Sequence, residues 1–174
     1  MIYWYILKDY GVKGKMLAVD FQNASVNRNF LLRILPAFNF GSSFVQWIQT
    51  FYQNISSCVL NNGFSTGPFE IQRGVRQGDP LSPYLFITVL EVLAISIRKN
   101  KDIQGIVMDR VEIKLDLIAD DLTVFLRNDG CLRHLLALIS KFGICSGLVI
   151  NNLVPRVYSA FKMAAERRPW HTPL

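Results

Sequence analysis

The sequence predicts an α+β fold in which hairpins of short antiparallel strands are backed by helices. Three observations support this prediction. Apolar, β-branched and aromatic residues on both sides of Asp120-Asp121 are typical of two strands joined by a tight turn. A second hairpin is predicted around Asn62-Gly63, because Asn-Gly favours the positive φ angles of a two-residue turn. The segment from Pro83 to Lys99 is apolar nearly all round, so we expect a helix that lies beneath a sheet.

Length and composition suit a single domain with a sizeable core. The chain has 174 residues, of which 51% are hydrophobic and 18% charged, and its mean hydropathy is +0.24. It is more apolar than an average soluble domain, which indicates either a large core or faces that meet neighbours. Three widely separated cysteines, Cys58, Cys131 and Cys145, support neither a disulfide framework nor a zinc site. They fit a reducing compartment.

The charge distribution and the most apolar segments bear on partners and location. A net charge of +6 is compatible with nucleic-acid binding, but half of the excess lies after Asn152, so charge alone does not identify a nucleic-acid binder. The first residues lack the basic region and cleavage site of a signal peptide. Leu81 to Ile97 is short for a membrane span and contains Glu91, which favours a buried helix. We expect an intracellular protein, in the nucleus or cytoplasm, with no membrane partner.

The first half of the chain contains one predicted strand and two predicted helices. Lys15 to Phe21 is a short apolar run that predicts a buried strand with Asp20 at its carboxyl end, although Asp20 also suits a helix cap or turn. Apolar residues recur at helical spacing from Phe30 to Phe38 and again from Phe44 to Tyr52. The aromatic residues of both helices are expected in the core.

The second half alternates strands with a helix. Ile103 to Met108 and Val111 to Leu117 read as strands joined at Asp109-Arg110, and the acidic hairpin follows. Asp129 is expected to cap a helix that Gly143 ends. Leu148 to Ile150 is a last predicted strand. We expect residues 1–152 to form one domain and residues 153–174 to form an unrelated, poorly ordered basic tail.

Two stretches carry candidate chemistry. The adjacent carboxylates Asp120 and Asp121 cannot both stay ionised cheaply unless a cation lies between them, and Mg²⁺ takes such oxygen ligands. The alternative is an ordinary solvated hairpin turn. From Arg73 to Pro83, glycines allow close backbone approach and arginines can meet phosphate. The alternative here is a plain loop with surface arginines, in which Asp79 or Ser82 caps the next helix.

Four segments together resemble the reverse transcriptases of non-LTR (LINE-type) retrotransposons. The string RGVRQGDPLSPYLF, from Arg73 to Phe86, is similar to the family's second palm motif almost letter for letter. Asp20 in AVDF resembles the first palm motif, and Ile118 to Asp121 resembles the third. FGICSGLVIN, from Phe142 to Asn151, is similar to the start of the fourth. Order and spacing agree over most of the chain.

The resemblance implies a polymerase palm, an antiparallel sheet backed by helices, and RNA-directed DNA synthesis. Asp20, Asp120 and Asp121 would gather at one point and hold two Mg²⁺ ions. One ion would activate the primer 3′-hydroxyl and the other would steady the triphosphate. The implied partners are an RNA template, a DNA primer and deoxynucleotides. The residues that resemble the family's nucleotide- and template-binding positions are Phe21, through a backbone carbonyl to a metal, with Arg76, Gln77 and Gly78.

The chain also departs from the family's pattern. After Asp20 the first motif lacks its aromatic residue and second acid, as if two residues were deleted, and Ile118 replaces an expected tyrosine. The match stops after Asn152, and neither the fingers nor the thumb is recognisable. We therefore expect a truncated palm with no appreciable polymerase activity as an isolated chain. The alternative is a non-enzymatic retrotransposon relic or a weak nucleic-acid-binding module.

Overall fold

A computed structural model of the chain describes residues 14–21, 26–76, 78–148 and 156–159, the last four as backbone. The α+β prediction is confirmed, because the described residues contain both helices and antiparallel strands. The helices are α1 (Arg28–Ala37), α2 (Ser42–Tyr52), α3 (Ser82–Lys99) and α4 (Asp129–Ser146). The strands are β1 (Lys15–Asp20), β2 (Ser56–Ser57), β3 (Leu60–Asn61), β4 (Phe64–Ser65), β5 (Phe69–Glu70), β6 (Ile106–Met108), β7 (Val111–Ile113), β8 (Leu115–Ile118), β9 (Asp121–Leu126) and β10 (Arg156–Ser159).

The described residues group into two compact units. The first unit contains residues 14–21, 93–140 and 156–159, and the second contains residues 26–92 and 141–148. Helices α3 and α4 contribute residues to both. The largest sheet belongs to the first unit, whereas α1, α2 and the strands β2 to β5 belong to the second.

The sheet of the first unit has the strand order β10-β1-β9-β8, and each pairing is antiparallel. Strand β1 pairs with β9 along its whole length, from Lys15 opposite Leu126 to Asp20 opposite Asp121. Alternate residues point to opposite faces, so opposed residues share a face. On one face, Leu17 and Val19 of β1 and Leu122, Val124 and Leu126 of β9 are buried, and the half-buried Lys15 lies at its end. The predicted strand ending at Asp20 is confirmed.

Strand β10 extends this sheet beyond the predicted domain boundary. It pairs with the edge of β1 that β9 leaves open, with Ala18 opposite Arg156 and Lys15 opposite Ser159. An open edge presents unpaired N–H and C=O groups that a further strand can satisfy. The expectation of a separate, poorly ordered tail after Asn152 stays a prediction, and the structure describes these four residues of it as a strand. The rest of the tail, and Val149 and Ile150 of the last predicted strand, lie outside the described residues.

The acidic hairpin turns one residue earlier than the sequence predicts. Ile118 is opposite Asp121, so the two-residue turn consists of Ala119 and Asp120, and Asp121 is the first residue of β9. The full-length pairing with β1 draws Asp121 into the ladder, opposite Asp20. Ala119 has φ = 54°, in the left-handed region that non-glycine residues occupy at an energetic cost.

Two other predicted turns are confirmed. Asn62 and Gly63 have φ values of 49° and 81°, and Asp109 and Arg110 have 47° and 71°. Positive φ at both central positions is the geometry that two-residue hairpins favour. The Asn62-Gly63 turn joins β3 to β4, and the same hairpin continues as β2 paired with β5.

The first two helices agree with the predicted spacing, but their aromatic residues do not all enter the core. Ile48 and Tyr52 of α2 are buried, whereas Trp47 and Phe51 are 63% and 59% exposed, so their predicted burial is wrong. Apolar spacing identifies a helix but does not say which of its apolar side chains find a neighbour. Among the helices of the described residues, none combines the length and apolar character that a membrane crossing requires.

Helix α4 begins one residue earlier than predicted and ends later, so the predicted cap at Asp129 is wrong. Asn128 supplies the cap, because its Oδ1 accepts a hydrogen bond from the Cys131 N–H at 3.0 Å. The carboxylate of Asp129 pairs instead with the Lys15 ammonium. The helix continues past Gly143 to Ser146, and Gly147 ends it with φ = 74° and an N–H donated to the Gly143 carbonyl at 2.9 Å. The stop at Gly143 is therefore wrong, because only Gly147 adopts the left-handed angle that terminates helices.

Gly105, just before β6, tests the packing of the first unit. A Cβ at this position would lie 2.2 Å from the Ile113 carbonyl oxygen, which belongs to backbone and cannot swing away. We expect Gly105→Ala to lower the free energy of unfolding by about 1–3 kcal/mol, as other overpacked sites do. Gly67→Ala is the control, because nothing lies within 4 Å of its added Cβ. Chemical denaturation of both variants measures the difference, and equal stabilities would contradict the packing described.

Ala119 tests the strain in the acidic turn. Because glycine adopts a positive φ freely, we expect Ala119→Gly to raise the free energy of unfolding by roughly 0.5–1 kcal/mol. The exposed helical Ala137 is a control of opposite sign, since glycine inside a helix costs about 1 kcal/mol relative to alanine. The free energies of unfolding of the two variants, measured by chemical denaturation, should therefore change in opposite directions relative to the wild type. A destabilising Ala119→Gly would show that the turn is not strained.

Candidate active site

The first candidate feature is a pair of opposed carboxylates at the end of the first unit's sheet. Asp20 is the last residue of β1 and Asp121 the first of β9, and the two are direct cross-strand partners. Directly opposed residues have their Cβ atoms about 4.5–5.5 Å apart and share one face of the sheet. Asp121 is exposed and Asp20 is half-buried. We call these two residues the carboxylate pair.

The third predicted carboxylate does not complete a three-residue cluster. Asp120 is exposed in the turn next to Asp121. In the parts of the chain that the structure describes, no three His, Cys, Asp or Glu side chains form a group able to hold a metal ion. The structure therefore brings two of the three predicted metal ligands into direct opposition and leaves Asp120 beside them. Phe21, which follows Asp20, has a buried side chain.

Two further residues share the face of the carboxylate pair. Ile118 is opposite Asp121 and 65% exposed, so it continues the row across β1, β9 and β8. Asp116 lies two residues before Ile118, opposite Thr123, and is therefore on the same face. The sequence analysis did not select Asp116. The signal that could have found it is the period-2 alternation counted back from Ile118.

The second candidate feature is a cleft in the second unit, with a volume of about 710 Å³. We call it the arginine cleft, because three of its lining residues are Arg28, Arg73 and Arg76. Gly78 and Asp79 also line it, so the motif from Arg73 to Pro83 forms one of its walls. Gln77, predicted to contact nucleotide and template, lies outside the described residues.

Two glycines shape the wall of the arginine cleft. Gly74 and Gly78 both have φ = 83°, which favours glycine strongly over any residue with a Cβ. Gly74 is buried and donates its N–H to the Val26 carbonyl at 2.9 Å, whereas Gly78 is exposed. These angles explain why both positions are glycine, whereas the predicted close approach of the backbone to a ligand stays a prediction.

The acidic residue of the motif serves the local backbone. Asp79 Oδ1 accepts a hydrogen bond from the Leu81 N–H at 3.0 Å, and the Asp79 carbonyl accepts one from the Ser82 N–H at 3.1 Å. Ser82 begins α3, and its buried hydroxyl lies 3.1 Å from the Tyr52 hydroxyl. Asp79 therefore organises the entry to α3, as predicted, and Ser82 contacts α2.

Arg28 is the lining residue that the sequence analysis missed. It is the first residue of α1, far from the motif in the chain, and it reaches the cleft through the tertiary contacts of its guanidinium. No local pattern distinguishes it from Arg33 of the same helix. Only the folded chain identifies it.

Comparison with known proteins agrees with the motifs. Residues 12–153 match the family model described as reverse transcriptase (RNA-dependent DNA polymerase). The chain is 32% identical over 115 residues to the Transposon TX1 uncharacterized 149 kDa protein of Xenopus laevis. The matched segment covers 64% of this chain and 9% of that protein. It is 38% identical over 89 residues to the Pol polyprotein of the type-1 retrotransposable element R2 of Popillia japonica. This second match covers 51% of this chain and 12% of that protein.

The fold is also similar to that of a solved telomerase structure. The chain superposes on apo telomerase of Candida tropicalis with a TM-score of 0.57 and 15% identity, over 90% of this chain and 33% of that one. The α+β arrangement is thus palm-like, although the chain spans only about a tenth of the two retrotransposon proteins. Because the family model matches most of the chain and the relatives come from such elements, the chain belongs to the reverse transcriptase (RNA-dependent DNA polymerase) family, in its non-LTR retrotransposon branch.

Proposed function

We propose that this chain supplies metal-binding and nucleotide-binding surfaces for RNA-templated DNA synthesis, with an RNA template, a DNA primer and deoxynucleotides as substrates. One observation carries the proposal: Asp20 lies directly opposite Asp121 in a chain of the reverse transcriptase family. Two like charges directly opposite each other destabilise a sheet, and the packing of the core does not require such a pair. A divalent cation bound between the two carboxylates would offset this repulsion.

The carboxylate pair suits a divalent cation. Mg²⁺ is bound by one or two carboxylates, by water and by substrate phosphates, and both residues have solvent access for a hydrated ion. Asp20 and Asp121 would hold the ion, and Asp120 would add a ligand when substrate phosphates are present. When bound, Mg²⁺ activates the attacking hydroxyl and neutralises charge on the phosphates.

The arginine cleft suits the phosphate groups of a nucleotide or a nucleic-acid strand. Guanidinium groups bind phosphate through paired N–H donors, and Arg73 and Arg76 are exposed along the cleft. The carboxylate of Asp79 opposes that attraction, but three arginines line the cleft against this one acid, so the lining keeps an excess of positive charge. The cleft supports a binding role even without chemistry, which is the second candidate function: a weak nucleic-acid-binding module or retrotransposon relic.

Asp20→Asn and Asp121→Asn test the carboxylate pair. Asp121→Asn removes the cross-strand repulsion, so we expect the metal-free chain of this variant to become more stable by about 0.2–1 kcal/mol. Both substitutions should abolish the rise in melting temperature that Mg²⁺ or Mn²⁺ gives the wild-type chain, because ligand binding to the folded state stabilises it. Thermal melts with and without the cation measure both effects.

Asp109→Asn is the matched control, since it removes the same charge from the β6–β7 turn, where asparagine tolerates the positive φ. It should leave the cation-dependent stabilisation intact. A wild-type chain whose melting temperature does not respond to either cation would argue against the metal-binding proposal. A chain that binds nucleic acid but no cation would favour the second candidate function.

Arg76→Met tests the arginine cleft. We expect it to weaken binding of a fluorescent deoxynucleoside triphosphate and to make that binding less sensitive to salt, because one phosphate contact is lost. Arg133→Met, an equal change of charge in α4, should alter neither property. Fluorescence titrations at several salt concentrations provide the measurement. Identical salt dependence in the two variants would mean that Arg76 contacts no phosphate.

A further inference from the structure

Arg28 joins the start of α1 to the motif that forms the arginine cleft. Its Nε lies 3.4 Å from the Gly74 carbonyl oxygen and its Nη2 lies 3.5 Å from that of Arg73. Its Nη1 donates to the Tyr52 carbonyl at the end of α2, at 3.3 Å. Each bond is long for an N–H···O contact, and two of them go to the loop while the third goes to the end of α2, so one rigid group links the loop to that helix.

A second set of contacts supports the same group. The guanidinium carbon lies 5.6 Å from the centre of the Tyr52 ring, within cation–π range. The Tyr52 hydroxyl lies 3.1 Å from the buried Ser82 hydroxyl, at the start of α3. The segment from Arg73 to Ser82 is therefore fixed near its beginning by Arg28 and at its end by Tyr52. Between these two points lie Arg76 and Gly78, which line the cleft.

The chemistry of these contacts requires arginine specifically. A guanidinium has five N–H donors in a planar fork, whereas an ammonium is a point charge that cannot reach three separated carbonyls in one geometry. Burial lowers the pKa of Arg28, while Tyr52 and Glu70 raise it and Arg76 lowers it further. Three N–H donations to carbonyl oxygens offset part of the cost of desolvating this charge.

We propose that Arg28 is a positioning residue for the arginine cleft: its guanidinium holds the Arg73 and Gly74 carbonyls so that Arg76 and Gly78 line the substrate surface. This inference rests on the proposed function, in which that cleft binds nucleotide phosphates. Arg28 acts through the loop, and its own charge adds to the attraction for an anion. The backbone bond from Gly74 to Val26, two residues before Arg28, sets the register of this attachment.

Three substitutions separate geometry from charge. Arg28→Lys keeps the charge and removes the fork, and Arg28→Gln removes the charge. Arg33→Lys, on the same helix at an exposed position, controls for the change of side chain. We expect Arg28→Lys to weaken binding of a fluorescent deoxynucleoside triphosphate about tenfold, the scale of a lost hydrogen bond to a charged group, with an unchanged salt dependence. Arg33→Lys should bind as the wild type does, and Arg28→Gln should bind more weakly with a reduced salt dependence.

Amide hydrogen exchange provides a readout that does not depend on the ligand. In Arg28→Lys, exchange should accelerate at residues 74–79 and stay unchanged in β1 and β9. If the exchange rates of Arg28→Lys at residues 74–79 equalled those of the wild type, or if exchange accelerated over the whole chain, the positioning role would be overturned. If Arg28→Lys bound the triphosphate as tightly as the wild type does, Arg28 would act through charge alone. If the wild-type chain bound no triphosphate, the proposed function would fail, and the exchange at residues 74–79 would still decide what Arg28 does.

Discussion

The register between β1 and β9 is the constraint on which the candidate metal site depends. Side chains alternate between the two faces, so a slip of one residue would turn Asp20 toward the core and expose its buried neighbours. The buried face, made by Leu17 and Val19 with Leu122 and Val124, prevents that slip. Hydrophobic burial thus fixes the relative position of two carboxylates that lie far apart in the sequence. The pairing of β1 with β9 therefore determines both the buried face of the sheet and the position of the carboxylate pair.

The same arrangement includes two energetically unfavourable features at the candidate metal site. Two acids are opposed across the strands, and the turn between β8 and β9 gives Ala119 a positive φ. Functional sites commonly retain such strain because the surrounding fold is stable enough to hold it. In the second unit the equivalent restraint is polar: a guanidinium, a tyrosine hydroxyl and a backbone bond fix the loop that lines the arginine cleft. The first site is held by packing and the second by hydrogen bonds.

The chain belongs to the reverse transcriptase family, and its fold is similar to that of a solved telomerase structure. The differences are as informative as the similarities. Ile118 places an exposed apolar side chain in the row of the carboxylate pair, and Asp116 adds an acid to the same face. Strand β10 shows that residues beyond the predicted boundary can complete the sheet edge.

By itself the sequence determined the family, the strand ending at Asp20, the spacing of the helices and the Asn-Gly and Asp-Arg turns, because these depend on local patterns of a few residues. It did not determine the position of the acidic turn, the end of α4 or the exposure of Trp47 and Phe51. Those outcomes depend on which distant segment pairs or packs with each residue. Arg28 is the clearest case, since its partners are carbonyl groups of Tyr52, Arg73 and Gly74. Every residue carries a carbonyl group, so only tertiary structure decides which carbonyls a guanidinium meets.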